Sequence, residues 1–322
     1  MQLIFSRYGY LICIISVLSA SIFLLENGFS ELQVLLFAGI GSISFTVIGE
    51  FLVPLYKDWR PNLKENFFPD ASLFVLNYIV LQSQLLQIFL TSIALKFAGG
   101  GFDLWPSDLN IFIQLVFALI ISEFGLYWFH RGCHEIPLLW RFHSIHHNPQ
   151  RLYWFNATRF HYVDVTLLQV FGIVPLLILG AEAKIIALVT IFSTVHGFWQ
   201  HVNAEQDQKI LNYFFSGPEL HRWHHNLKPE IANHNYGNNL IIWDHVFKTF
   251  YWPKDNDEEI STESRELRLY IDNDATLYKQ RYIPILKNLS KFKKRGKFNP
   301  KLAVKAFMYL ATAGAKKPFT PD

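Results

Sequence analysis

The chain has 322 residues, 51% of them hydrophobic, with a formal net charge of only +3 at pH 7. So small a charge gives no footprint for nucleic acid, and zinc-finger spacing, a Walker loop and a dinucleotide fingerprint are all absent. The two cysteines, Cys13 in an apolar run and Cys133 among histidines, exclude a disulfide scaffold.

Residues 8–25, 33–49 and 71–95 carry no charge, and 109–129 is interrupted only by Glu123. About 20 apolar residues cross the core of a bilayer, so these four runs predict membrane-spanning helices. Arg7, an apolar run and small residues at Ser19–Ser21 resemble a signal peptide, but further spans follow, which favours an uncleaved first helix. Shorter runs at 165–180 and 185–200, joined by Ala-Glu-Ala-Lys, predict a membrane hairpin. The loops at 26–31 and 99–108 are acidic. Lys57, Arg60 and Lys64 follow the second run, and Arg131, Arg141, Arg151 and Arg159 follow the fourth. Basic loops favour the cytoplasmic side, which places both termini and the histidine segments there. The expected fold is all-α: a polytopic transmembrane helical bundle of four full spans plus a membrane hairpin, with a cytosolic histidine-rich helical cap. It divides into an N-terminal hairpin and basic loop (1–70), a catalytic domain (71–253) and a cytosolic tail (254–322).

All 13 histidines lie between positions 130 and 245. They form His130-x-x-x-His134, His143-x-x-His146-His147 and His221-x-x-His224-His225. Residues three and four apart share a helix face, so each set stacks imidazoles one turn apart. The additional His146 and His224 widen two of those faces toward a second metal position. Neutral imidazole suits iron, zinc, copper and nickel, and three such sets predict a metal site. Glu123, Tyr127, His130 and His134 recur on one helical face. Glu123, costly inside a span, is read as a catalytic-site residue that orients a ligand imidazole, or as half of a buried structural pair. Glu50 has no such context and is read as a bond to a neighbouring helix.

His161, in Asn156-Ala-Thr-Arg-Phe-His161, is either a ligand or an anchor for its loop. His201 closes the hairpin just before the last cluster and is a candidate ligand, whereas His196 is read as hydrogen-bonded inside the hairpin. His234 and His245 are read as exposed or structural. The Asn/Gly-rich stretch 233–239 is turn chemistry. Beyond it, 255–266 is acidic and 279–305 basic. There Tyr282, Ile285, Leu286, Leu289 and Phe292 fall at helical spacing, fitting either an anionic membrane surface or a helix packed on the cap.

Together these motifs resemble the fatty acid hydroxylase/sterol desaturase superfamily, and the supporting segments agree: YWFHR at 127–131, NATRFH at 156–161, HRWHH at 221–225, NYG at 235–237 and WD at 243–244. The likeness covers roughly 70–250. Its context is similar to the alkylglycerol monooxygenase-like and bacterial sterol-desaturase branches. It implies a non-haem di-iron oxygenase whose two irons are held by His130, His134, His143, His146, His147, His221, His224 and His225. His201 matches a ligand from the hairpin end, and Glu123 stands at an acidic position. It also implies dioxygen and external electrons from a separate electron-transfer protein, acting on a lipid in a bacterial inner membrane or endoplasmic reticulum. The outcome is hydroxylation, desaturation or oxidative ether cleavage. One departure is Phe247-Lys248-Thr249, where relatives carry Phe-Gly-Thr. Two rivals are weaker. A membrane zinc hydrolase would use three ligands and a carboxylate base, as in His-Glu-x-x-His, which is absent. A haem electron carrier would not use adjacent His146 and His147.

Overall fold

A computed structural model describes residues 2–57, 67–81, 104–147, 149, 151–207, 210–226 and 229–252. The described elements are helical throughout: α1 (Gln2–Glu26), α2 (Glu31–Leu52), α3 (Phe68–Leu81), α4 (Ile111–Glu135), α5 (Pro137–His143), α6 (Tyr162–Leu179), α7 (Ala183–Gln200), α8 (Pro218–His224), α9 (Pro229–Ala232) and α10 (Ile242–Phe247). Short 3-10 turns lie at Trp154–Thr158 and Leu211–Tyr213. No strand forms among the described residues; two isolated bridges, Pro54 with Ala204 and Phe215 with Leu240, tie loops together.

Four helices are long and apolar enough to cross a membrane: α1, α2, α4 and α6. The protein is an integral membrane protein, all-helical among the described residues. Three of these helices coincide with expected spans. The remaining expected span, 71–95, is described only to residue 81, as α3. The first arm of the expected hairpin, α6, is 18 residues and long enough to cross by itself. The expected amphipathic stretch at 282–294 and the rest of the tail lie outside the described residues.

Local chemistry sets the helix ends. Ser30 and Gln33 form a capping box at the start of α2. The Asn110 side chain accepts from Phe112 N at 2.8 Å to open α4, and Pro137 opens α5 at once after it. Gly180, at φ 86°, ends α6 in the left-handed conformation that glycine adopts freely, and α7 returns antiparallel. Inside α2, Ser42 and Thr46 donate back to Ala38 O and Ser42 O, so their hydroxyls stay paired within the helix. Leu36, Phe37 and Ile40 on α2 and Phe112 on α4 face outward, more than half exposed, as suits helices surrounded by lipid.

The principal core joins α1, α2, α4 and α7 through Phe5, Cys13, Ile14, Val34, Ala38, Leu115, Ala118, Ile185, Leu188, Val195 and Trp199. Lipid is as apolar as these side chains, so association rests on close packing of small residues rather than on exclusion of water. A Cβ on Gly125 of α4 would fall 2.0 Å from Phe171 O of α6, and one on Gly9 of α1 3.1 Å from the Trp199 ring. Only glycine permits the α4–α6 approach. Because α4 carries His130 and His134, that approach also sets where the first histidines stand.

Candidate metal centre

Nine histidines from four parts of the chain converge at one end of the bundle. His130 and His134 come from the last turns of α4, and His143, His146 and His147 from α5 and its following turn. His201 caps α7, and His221, His224 and His225 lie on or just after α8. They sort into two groups, His130, His134, His143, His147 and His224 in one and His146, His201, His221 and His225 in the other. Within each group the ligand atoms lie within 4.8 Å of one another. Each His-x-x-His-His divides: positions one and five serve one group, and position four crosses to the other. All nine sequence candidates are brought together.

The hydrogen bonds show what these groups are built to hold. A carbonyl oxygen only accepts, so the ring nitrogen facing it must carry the proton. His130 Nδ1 therefore donates to Tyr236 O at 2.7 Å, and His224 Nδ1 to His234 O at 2.8 Å. Both Nε2 atoms are then bare lone pairs, yet they face each other at 3.0 Å. His201 Nδ1 donates to Asn156 Oδ1 at 2.7 Å, which leaves its Nε2 bare against His221 Nε2 at 2.9 Å. His225 Nε2 faces both His221 Nε2 at 3.0 Å and His146 Nε2 at 3.2 Å. One ring proton cannot bridge so many nitrogens. Converging lone pairs repel unless a cation lies between them, so the donor set fits two metal ions.

Burial pushes His201 and His224 down to about 3, and His146, His147, His221 and His225 well below the usual histidine range. The rings are neutral at physiological pH, the form that ligates.

Outer partners fix several of the rings. His143 Nδ1 donates to Asp164 Oδ2 at 2.9 Å, a carboxylate–histidine arrangement that raises ligand basicity. His134 Nδ1 meets Asn233 Oδ1 at 3.2 Å. The loop accepting from His130 is itself pinned twice. Asp244 accepts from Tyr236 N, Gly237 N and Thr249 Oγ1. Glu123 accepts from Asn238 N, and from Asn239 N and Nδ2 at 3.0 Å each. Glu123 thus acts on the loop beside Tyr236, one step from an imidazole. Glu50 accepts from Trp154 N and Asn203 N, holding two loops rather than a helix. Asp70 accepts from Tyr153 OH at 2.5 Å and Arg159 Nη1 at 2.9 Å.

The other histidines stand apart. His161 caps α6, accepting from Val163 N at 3.1 Å. His196 donates from Nε2 to Ser216 O and accepts from Tyr10 OH at 2.8 Å, so its bonds leave the hairpin for α1 and the loop before α8. His234 contributes its carbonyl, and His245 reaches Tyr213 O. Asn156 and Asp244 sit inside motifs visible in the sequence, and Asp164 three residues past one, but no periodicity there points them at a ligand. Their partners are distant in the chain or set by turns.

Fold and site together define a helical membrane protein with two histidine groups, five and four strong, that could each hold a metal ion. Residues 115–249 match the family model described as fatty acid hydroxylase. The chain is 33% identical over 218 residues to ornithine lipid hydroxylase OlsE of Rhizobium tropici, covering 66% of either protein. It is 33% identical over 133 residues to alkylglycerol monooxygenase of Danio rerio, covering 41% of this chain and 29% of that protein. It is 23% identical over 183 residues to Delta(7)-sterol 5(6)-desaturase erg3B of Aspergillus fumigatus, covering 54% of this chain and 51% of that one. No solved structure matches. The chain belongs to the fatty acid hydroxylase/sterol desaturase family of oxidoreductases.

Proposed function

We propose that the protein is a di-iron oxidoreductase that uses dioxygen and two external electrons to hydroxylate, desaturate or oxidatively cleave a membrane lipid. The observation that carries this reading is the pair of contiguous histidine groups, five and four strong, whose bare Nε2 atoms converge. His130, His134, His143, His147 and His224 would hold one iron, and His146, His201, His221 and His225 the other. Bound there, two redox-active irons supply the reduction of dioxygen to an oxidant able to attack an unactivated C–H bond, which zinc does not.

The chain's own residues prepare that chemistry. Asp164, Asn156, Tyr236 O and His234 O each take the Nδ1 proton of one ligand, which fixes the tautomer and aims Nε2 inward. Glu123 and Asp244 hold the loop that supplies Tyr236 O. Ligand burial keeps protons and bulk water away. The relatives bear names for an ornithine lipid and for alkylglycerols, which supports a lipid substrate with a polar head. The basic segments beside the histidines support a centre on the cytoplasmic side, where a separate electron-transfer protein would dock.

Metal analysis of purified protein tests the reading: about two irons per chain are expected, falling in His224→Ala. Lipid extracts from cells making the intact chain should show an oxidised lipid that His224→Ala abolishes. Iron-free but active protein, or activity without dioxygen, overturns it. The zinc hydrolase is disfavoured because neither the five- nor the four-histidine group includes a carboxylate. A haem carrier is disfavoured because Nε2 atoms 3.0 Å apart leave no room for a porphyrin.

A further inference from the structure

A cavity of about 230 Å³ opens from His130, His143, His146, His201 and His221 and runs between α4, α6 and α7 to Ile173 and Val189. It touches both histidine groups, so an occupant lies against both metal positions. The volume is below the roughly 300–1,000 Å³ of a typical ligand pocket, so it takes a segment of a lipid, not a whole one. In so small a space the bulk of one side chain decides what enters.

Two glycines line this cavity, for different reasons. Gly172 of α6 serves packing: a Cβ there would stand 3.1 Å from Leu126 Cδ2 and 3.3 Å from Ser122 Oγ, both on α4. Gly197 of α7 does not. A Cβ there meets nothing within 4 Å among the described residues. Gly197 lies inside the helix and is not at positive φ, so no turn requires it either. A glycine in a helix interior is destabilising relative to alanine, because it loses more backbone freedom on folding. Neither packing nor backbone geometry offsets that loss. Gly39 of α2 has similarly open surroundings, but its neighbours Phe37 and Ile40 face lipid and it lines no part of the cavity.

The α7 wall of the cavity runs from Val189 through Thr190, Ser193, Thr194 and Gly197 to His201, about 18 Å along one helix face. Gly197 is the last turn before the ligand His201, about 6 Å from it along the axis. The neighbouring side chains are held: Thr194 Oγ1 donates to Thr190 O at 2.8 Å, and Ser193 Oγ accepts from Asn239 Nδ2 at 3.1 Å. They do not swing into the space that the glycine leaves. Leu126, Phe129, Phe160 and Leu168 give the cavity an apolar lining that suits a hydrocarbon chain. We propose that Gly197 is a specificity-determining residue: by carrying no side chain it keeps open the passage along which the substrate's hydrocarbon chain reaches the histidines. The width of chain that passes is set there, one turn short of the metal centre. A side chain at this position leaves the fold and the ligands in place and closes the passage.

The proposal rests on the lipid-oxidoreductase reading but is tested without turnover. Purified full-length protein in lipid nanodiscs is photolabelled with a hexadecane chain bearing a diazirine at each end, a probe with no head group, and labelled residues are mapped by mass spectrometry. Phe160, which stacks on His146 at 4.2 Å between ring centroids, reports arrival at the histidines. Leu36 and Phe37 on the outer face of α2 report contact with lipid alone. Labelling of Phe160 should fall roughly threefold in Gly197→Ala and at least tenfold in Gly197→Leu, as added bulk fills the passage, with Leu36 and Phe37 unchanged. Over the same series Gly197→Ala should keep the iron content of the wild type and melt at or above its temperature, because alanine favours the helix. Weaker labelling beside undiminished stability is a combination that a packing glycine would not give. If Gly197→Leu fails to fold, Gly197→Ala carries the test. No labelling of Phe160 in the wild type, undiminished labelling in the variants, or a lowered melting temperature in Gly197→Ala overturns the role of Gly197. With two irons still bound, that failure leaves the oxidoreductase reading standing. Iron-free wild type with the labelling differences intact overturns only the oxidoreductase reading.

Discussion

Single side chains at this centre act through the proton they hold in place. Asn156 Oδ1 takes the Nδ1 proton of His201 and also accepts from Tyr153 N at 3.2 Å, while its Nδ2 donates to Arg151 O. Asn156→Ala frees the His201 ring to rotate and change tautomer. Loss of such an outer partner typically costs 10- to 100-fold in metal affinity. Titration with ferrous iron should then show one tight and one weakened site, the weakened one being the group of His146, His201, His221 and His225. Asp164→Ala should weaken the other group, through His143. Acid acts on the same rings. His201 and His224 are held at about 3 against an ordinary 6.5. A group whose value is lowered by folding contributes stability that is full above 6.5 and lost as pH falls toward 3. Asp244, raised to about 6 by burial, has the opposite sign: its contribution is present at low pH and lost as pH rises through 6. The lowered histidines outnumber the carboxylates that burial raises. Metal-free protein should therefore unfold more readily on acidification below pH 6.5, as followed by denaturation midpoint against pH.

Among elements, the helices were more legible in the sequence than the loops that serve the metal. Charge-free runs and the i, i+4 spacing of His130 and His134 depend on neighbours in the chain, which a sequence displays. Glu50 reaching Trp154 N, Asp70 reaching Tyr153 and Arg159, and Glu123 reaching Asn238 link residues about a hundred apart, which it does not. Glu50 and Glu123 stood out because a carboxylate in a span is costly, but their targets did not. The Lys248 departure has a physical reading. Lys248 caps α10 at φ 60°, the left-handed region that costs a residue with a Cβ roughly 1–2 kcal/mol. The side chain is exposed, so Lys248→Gly should stabilise the protein by about 1 kcal/mol, seen as a raised melting temperature. The α4–α6 crossing has the reverse prospect. A Cβ at Gly125 meets backbone rather than a side chain that could turn aside. Gly125→Ala should destabilise by about 3 kcal/mol and lower iron retention as well, because it displaces the helix that carries His130 and His134.

The molecule as a whole is held in two different ways along its length. The apolar core joins α1, α2, α4 and α7, with the buried Leu176 and partly buried residues of α6 against it. The histidine end consists of short pieces: α5 and α8 are seven residues each, and α9 is four. Isolated helices of that length are not stable in water. What joins them to the bundle is mainly polar: imidazoles, buried carboxylates and loop carbonyls. Without a cation, the facing lone pairs of His130 with His224 and of His201 with His221 oppose that closure. Ligand binding to the folded state adds RT ln(1 + [L]/Kd), about 2.7 kcal/mol at a concentration of 100 Kd for each site. This stabilisation falls on the segments that carry the ligands. Hydrogen exchange of iron-loaded and chelator-treated protein should therefore differ by region. Amides of 137–147 and 218–226 should exchange much faster once iron is removed, while those of 185–199 in α7, packed in the apolar core, keep their protection. Uniform loosening of both regions would mean that the metal centre supports the whole bundle. No change at 137–147 would mean that the buried carboxylates close the histidine end without metal.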